Sequence, residues 1–194
     1  PFCYFGRQSL DTYQSECEEP LRIEWHPFDL RAGKRNPDGS IDHDADDNKG
    51  EAYYEQARQN VQRLREEYGA EEMALELATE VDSLPAQLVS VAVRETYDYD
   101  TWLAFDEAVF EALWHDGRDI GAEDVLVEIA ADVGVDPDDV RAALDDDDRR
   151  EALHDQFQRA QSQGVTGVPT FAVDGHAARG AVPPAQLRRL VEGA

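Results

Sequence analysis

Lysine is almost missing from this chain of 194 residues: Lys34 and Lys49 are the two lysines among 18 basic side chains, set against 43 acidic ones. The resulting net charge of −25 repels phosphate backbones, which excludes nucleic acid as a partner. Cysteine occurs twice, as Cys3 and Cys17, too few for a disulfide-stapled secreted scaffold, and a reducing, cytoplasmic compartment is expected. Methionine occurs once, as Met73, and the chain opens on Pro1, so a preceding N-terminal piece, with any targeting signal in it, is expected as well. No stretch approaches the roughly 18 to 20 uninterrupted apolar residues of a membrane span, and no membrane partner is expected. His26, His43, His115, His154 and His176 lack the spacing of metal ligands, and phosphate loops, Gly-x-Gly-x-x-Gly turns and Gly-x-Ser-x-Gly elbows are absent. No metal site is expected.

What is present suffices for a core. The 41% of hydrophobic residues suits a soluble globular protein of one domain, or one domain carrying an insertion. The acidic residues are spread along the whole chain, which points to a solvated acidic shell. Such a shell repels itself in dilute buffer, where the Debye length is about 10 Å at 0.1 M, and far less at 1 M, where it is about 3 Å. Adaptation to a salt-rich, halophilic cytoplasm is the reading that follows.

Leu10, Tyr13 and Cys17 recur at helical spacing and predict a helix from about Tyr4 to Glu18, ended by Pro20. The alternation Leu21-Arg22-Ile23-Glu24-Trp25-His26 predicts a half-buried strand stopped by Pro27. Residues 31–50, rich in Gly, Asn, Asp and Pro, read as a loop. From Glu51 to Gln163 the pattern is helical. Tyr54, Ala57, Val61, Leu64 and Tyr68 form a first face, and Pro85 opens a second helix. Trp102, Phe105, Phe110 and Trp114 make an aromatic stripe that reads as core, with a groove wall as its alternative. Val125, Leu126, Ile129 and Val133 form another face, Asp136-Pro137 reads as N-cap and first helical residue of a helix through Leu144, and a last helix covers 149–163. The run Asp145–Asp148 reads as a solvated loop or helix start. Thr170–Val173 then predicts a strand, Asp174-Gly175 a two-residue hairpin turn into His176–Ala178, and Pro183-Pro184 a terminal helix. Strand formers at both ends with helices between them indicate an α/β fold whose halves are separated by a large all-helical insertion.

Two segments carry chemistry: Pro1-Phe2-Cys3 at a helix start and Gly167-Val168-Pro169-Thr170-Phe171 before a strand. Two cysteines separated by two residues at a helix N-terminus can close a small disulfide, and the N–H groups there favour a thiolate. A proline facing that helix has no N–H of its own and leaves the preceding backbone free to pair with an extended substrate.

With these segments the chain resembles the DsbA family of thioredoxin-fold thiol oxidoreductases, in the branch that includes FrnE and the 2-hydroxychromene-2-carboxylate isomerases. Pro1-Phe2-Cys3-Tyr4-Phe5-Gly6 is similar to the last three residues of the family's Cys-Pro-x-Cys motif and the aromatic-x-Gly after it. Trp25-His26-Pro27-Phe28 resembles its second strand, Gly117-Arg118-Asp119-Ile120 a segment of its helical insert, and Gly167–Phe171 with Gly180-Ala181 its cis-proline loop. The resemblance implies a thioredoxin-like domain over residues 1–46 and 164–194, its first strand not in the chain, with residues 47–163 as the insertion. It implies Cys3 as the second, resolving thiol, Val168, Pro169 and Thr170 as substrate-binding residues, and a cis bond at Val168–Pro169. It also implies thiol–disulfide exchange with protein or small-molecule substrates, no cofactor other than a possible low-molecular-weight thiol, and a possible homodimer. A serine before Pro1 would instead fit a glutathione-type thiol-dependent isomerase or transferase, and any other residue a redox-inactive binding module.

Cys17 lies 14 residues after Cys3, about 21 Å along one helix, whereas a disulfide needs Cα atoms within about 7 Å. The two are not expected to pair, and Cys17 reads as core. His26 is a candidate neighbour of the thiol site with a surface role as its alternative, and Glu24 a candidate buried proton acceptor.

Overall fold

The computed structural model describes residues 1–19, 21–36, 39–45, 50–76 and 80–193. Among them are eight α-helices and one two-stranded antiparallel sheet, in the order α1 (Phe2–Ser15), α2 (Glu51–Tyr68), α3 (Leu84–Thr96), α4 (Tyr99–Trp114), α5 (Glu123–Asp132), α6 (Pro137–Asp145), α7 (Asp147–Ser162), β1 (Thr170–Val173), β2 (His176–Arg179) and α8 (Pro184–Glu192). None of the described helices is long and apolar enough to cross a membrane. The chain divides into two compact units, one of Pro1–Gly33, Asp46–Glu71 and Ala160–Ala194, the other of Lys34–Ala45 and Glu72–Arg159.

The first unit is built on α1. Its apolar face closes over a cluster of Tyr13, Ala178, Val182 and Leu187, with Leu10, Cys17, Phe171 and Leu190 packed around it. Phe5 is fully buried, its ring 5.8 Å from that of Tyr68, and the Tyr68 hydroxyl shares a hydrogen bond with the buried Ser9. These contacts attach α2 to α1, so α2 belongs to this unit, whereas the sequence pattern alone groups it with the insertion. The hairpin follows its turn chemistry: Asp174 and Gly175 both have positive φ, 49° and 81°, as a mirror-image two-residue turn requires. The register pairs Val173 with His176 and Phe171 with Ala178, and β2 runs one residue beyond the expected Ala178.

The expected strand at Leu21–His26 is not formed. Burial there does alternate, with Leu21, Ile23 and Trp25 half-buried and Arg22, Glu24 and His26 exposed. Alternation fixes which way side chains face, but a strand also needs a ladder, and the sheet of the described residues holds β1 and β2 alone. Helix α1 ends at Ser15, three residues before the expected Glu18, and Pro20 lies outside the described residues.

The second unit is helical. Trp102, Phe105, Leu88, Leu126 and Val140 are almost wholly buried, and the Trp102 indole N–H donates to Ser90 Oγ at 3.0 Å. Trp114 is buried as well and Phe110 half-buried, so the aromatic stripe is core. Asp136 caps α6 by accepting from the Asp138 N–H, with Pro137 in the first turn. Gly117–Ile120 turns the chain out of α4: the Arg118 N–H donates to the Ala112 carbonyl at 2.8 Å, and Ile120 is buried. Residues 34–45 join this unit through Arg35, whose nearly buried guanidinium makes a two-pronged bond to Asp82 at 2.8 and 2.9 Å and a third to the Gly39 carbonyl. Of Asp145–Asp148, Asp145 ends α6 and Asp147 starts α7, while Asp146 between them accepts from the Arg149 N–H at 2.9 Å.

Candidate active site

Cys3 lies in the first turn of α1, half-buried, its sulfur in no disulfide. Pro1 stands at the N-cap position, where no side chain caps the helix, and no acidic residue occupies the first turn. The positive end of the helix dipole therefore faces the Cys3 region with no carboxylate from that turn to offset it.

The loop before β1 is seated on the same helix. Gly6, one turn beyond Cys3 and on its face, lies so close to Pro169 that a β-carbon on Gly6 would stand 2.7 Å from Pro169 Cγ and 3.2 Å from its Cβ. The Phe171 ring closes the same spot at 3.3 Å. The loop itself is fixed from both ends: Thr170 Oγ1 donates to the Gly167 carbonyl at 2.7 Å, and the Gly180 N–H donates to the Pro169 carbonyl at 2.8 Å. Arg179 adds a bond to the Gly164 carbonyl at 3.0 Å. The Val168–Pro169 peptide is cis, and Val168, Pro169 and Thr170 are all half-buried. The arrangement brings a thiol at a helix start and a proline-bearing loop onto one helix face.

The other candidates lie elsewhere. Cys17 follows the far end of α1, where its thiol donates to the Tyr13 carbonyl at 3.3 Å, and it too is in no disulfide. The Tyr13 phenol there is pushed up to about 12, first by burial and then by its neighbours Cys17 and Glu192. Glu24 is not a buried proton acceptor: its side chain is 86% exposed and lies 3.6 Å from His26, which also faces outward. Both occupy the solvent side of the alternating segment.

Gly6 was accessible to sequence reasoning only as one letter of the opening motif. The signal it carries is physical: a glycine inside a helix costs about 1 kcal/mol against alanine, so its presence there asks for a close neighbour.

A family model described as a DSBA-like thioredoxin domain matches residues 1–192. The chain belongs to the DsbA-like thioredoxin family. Its fold is accordingly the DsbA-like thioredoxin fold, largely helical with a small sheet. Among curated proteins, YwbO of Bacillus subtilis (strain 168) is 25% identical over 174 residues, covering 89% of this chain and 81% of that protein. Two solved structures share the fold at 19% identity and a TM-score of 0.72. A 2-hydroxychromene-2-carboxylate isomerase matches over 93% of this chain and 84% of its own, and a probable DsbA oxidoreductase from Streptomyces coelicolor over 98% and 85%. At this identity the two likenesses are of fold.

Proposed function

We propose that this DsbA-like protein is a thiol–disulfide oxidoreductase that exchanges disulfides with protein or small-molecule substrates. Cys3 is the resolving thiol of a Cys-Pro-Phe-Cys pair whose last three residues are Pro1-Phe2-Cys3, and Val168, Pro169 and Thr170 receive the substrate. In the first step a thiolate attacks one sulfur of the substrate disulfide, the other leaves as a thiolate, and a mixed disulfide forms. Cys3, as thiolate, then attacks the enzyme sulfur of that bond. The substrate's second thiolate departs and takes up a proton, the substrate is reduced by two electrons, and the enzyme pair is left oxidised. The reverse sequence oxidises a dithiol. A helix N-terminus favours the thiolate at each stage, and a thiolate stabilised there is also the better leaving group.

The observation that carries this reading is the seating of Pro169 against Gly6, one helical turn from Cys3. An insulin-reduction or oxidative-refolding assay with the full-length protein tests it. Rates well above background that fall to background in Cys3→Ala are expected, and a wild-type rate at background overturns the reading.

The likeness in fold to a 2-hydroxychromene-2-carboxylate isomerase favours a second reading, a thiol-dependent isomerase or transferase acting on a small aromatic substrate. It predicts turnover that requires an added low-molecular-weight thiol and survives loss of disulfide-exchange activity.

A further inference from the structure

We infer that Gly6 is a positioning residue that sets how closely the 167–170 loop approaches α1, and thereby determines specificity for extended protein substrates over small disulfides. The inference rests on the exchange reading for its specificity half and on packing alone for its positional half.

A glycine in the interior of α1 is unfavourable for the helix, and nothing in its backbone requires it, because Gly6 is not among the residues with positive φ. The reason lies in space. A β-carbon at position 6 would meet Pro169 Cγ at 2.7 Å, closer than non-bonded carbons pack. Proline offers little relief: a change of ring pucker moves Cγ, but Cβ at 3.2 Å is tied to the backbone, and the Phe171 ring at 3.3 Å blocks the adjacent direction. Phe171 is held in turn by its register with Ala178 in β2. Any side chain at position 6 therefore pushes the whole loop away from α1, and with it the backbone of Val168 and Thr170.

The consequence differs between substrates. An extended polypeptide uses the loop as a docking edge, so its orientation toward the thiol changes when the loop moves. A small disulfide needs access to sulfur alone. Gly6 touches no reacting atom and acts through Pro169.

The test compares wild type with Gly6→Ala, Pro169→Ala and the double variant. With Gly6→Ala we expect kcat/KM for a protein disulfide to fall by about tenfold, carried mainly by KM, while the rate with oxidised glutathione stays within about twofold. We expect its melting temperature to fall by about 3–6 °C, against the rise that an alanine ordinarily gives inside a helix. Pro169→Ala removes Cγ, so the thermal cost of Gly6→Ala in that background should shrink by more than half, a non-additivity the single variants cannot mimic. A Gly6→Ala protein that is more stable than wild type, or whose thermal cost is the same in the Pro169→Ala background, overturns the positional half. An equal loss toward protein and glutathione disulfides overturns the specificity half. If wild type itself exchanges no disulfide, the exchange reading and the specificity half fall together, whereas the thermal cycle still decides whether Gly6 positions the loop.

Discussion

Cys17 donates its thiol hydrogen to the carbonyl of Tyr13, one turn back along α1, at 3.3 Å, and packs beside the cluster of Tyr13, Ala178, Val182 and Leu187. The chain's two thiols thus stand in different settings: Cys3 starts the helix near the proline loop, and Cys17 follows its other end against the α8 side of the core. Removing the second should leave the chemistry intact. Cys17→Ala is expected to keep exchange rates within about twofold of wild type and to cost about 1 kcal/mol of stability, as read from urea midpoints.

Alkali should weaken the same region. The Tyr13 phenol is pushed up to about 12 by burial, with Cys17 and Glu192 adding to it, against an ordinary value of 10.0. The folded state therefore prefers the protonated phenol, and its contribution is complete below pH 10, where the unfolded chain is also protonated. Above pH 10 the unfolded chain ionises first, so stability drains away as the pH rises toward 12. Denaturant midpoints measured from about pH 9 to about pH 11.5 should decline for wild type and decline less steeply for Tyr13→Phe.

The bond from the Trp102 indole to Ser90 lies in a core where both side chains are almost wholly buried. Trp102→Phe keeps an aromatic ring but leaves Ser90 Oγ without its donor, which should cost about 1–3 kcal/mol. Since Trp102 is buried within the core of the helical unit, disulfide-exchange rates of the folded variant should match wild type. A selective loss of rate without loss of stability would instead mark Trp102 as part of a substrate groove.

Charge governs the surface. With 43 acidic and 18 basic side chains, mutual repulsion should destabilise the folded state in dilute buffer and be screened in concentrated salt. Far-UV dichroism on heating is expected to give a clearly higher midpoint in molar potassium chloride than in buffer of about 10 mM. Equal midpoints would contradict a salt-adapted shell.

Much of this architecture was legible in local chemistry. Asp136-Pro137 starts α6, Pro85 lies in the first turn of α3, and Asp174-Gly175 turns the hairpin, because each depends on the conformation of one or two residues. What depends on a distant partner was not legible. The alternation at Leu21–His26 set which side chains face solvent, and it accounts for exposed Glu24 and His26, yet a ladder needs a neighbour that no local pattern names. Helix α2 has the amphipathic spacing of any insert helix. Its attachment to α1 comes from Tyr68 meeting Ser9 and Phe5 across some 60 positions of sequence. In the candidate site Cys3, Val168, Pro169 and Thr170 were readable from motifs, whereas the closeness of Gly6 to Pro169 is a contact between opposite ends of the chain and emerges only from the packed structure.

Differential alkylation after exposure to a disulfide tests the central claim most directly. The full-length protein is incubated with oxidised glutathione, its remaining thiols are alkylated, and each cysteine is scored by mass spectrometry before and after dithiothreitol. Cys3 should be lost to the alkylating reagent and regained on reduction, with Cys17 alkylated throughout. A Cys3 that stays alkylatable, or a Cys17 oxidised just as fast, would contradict the account.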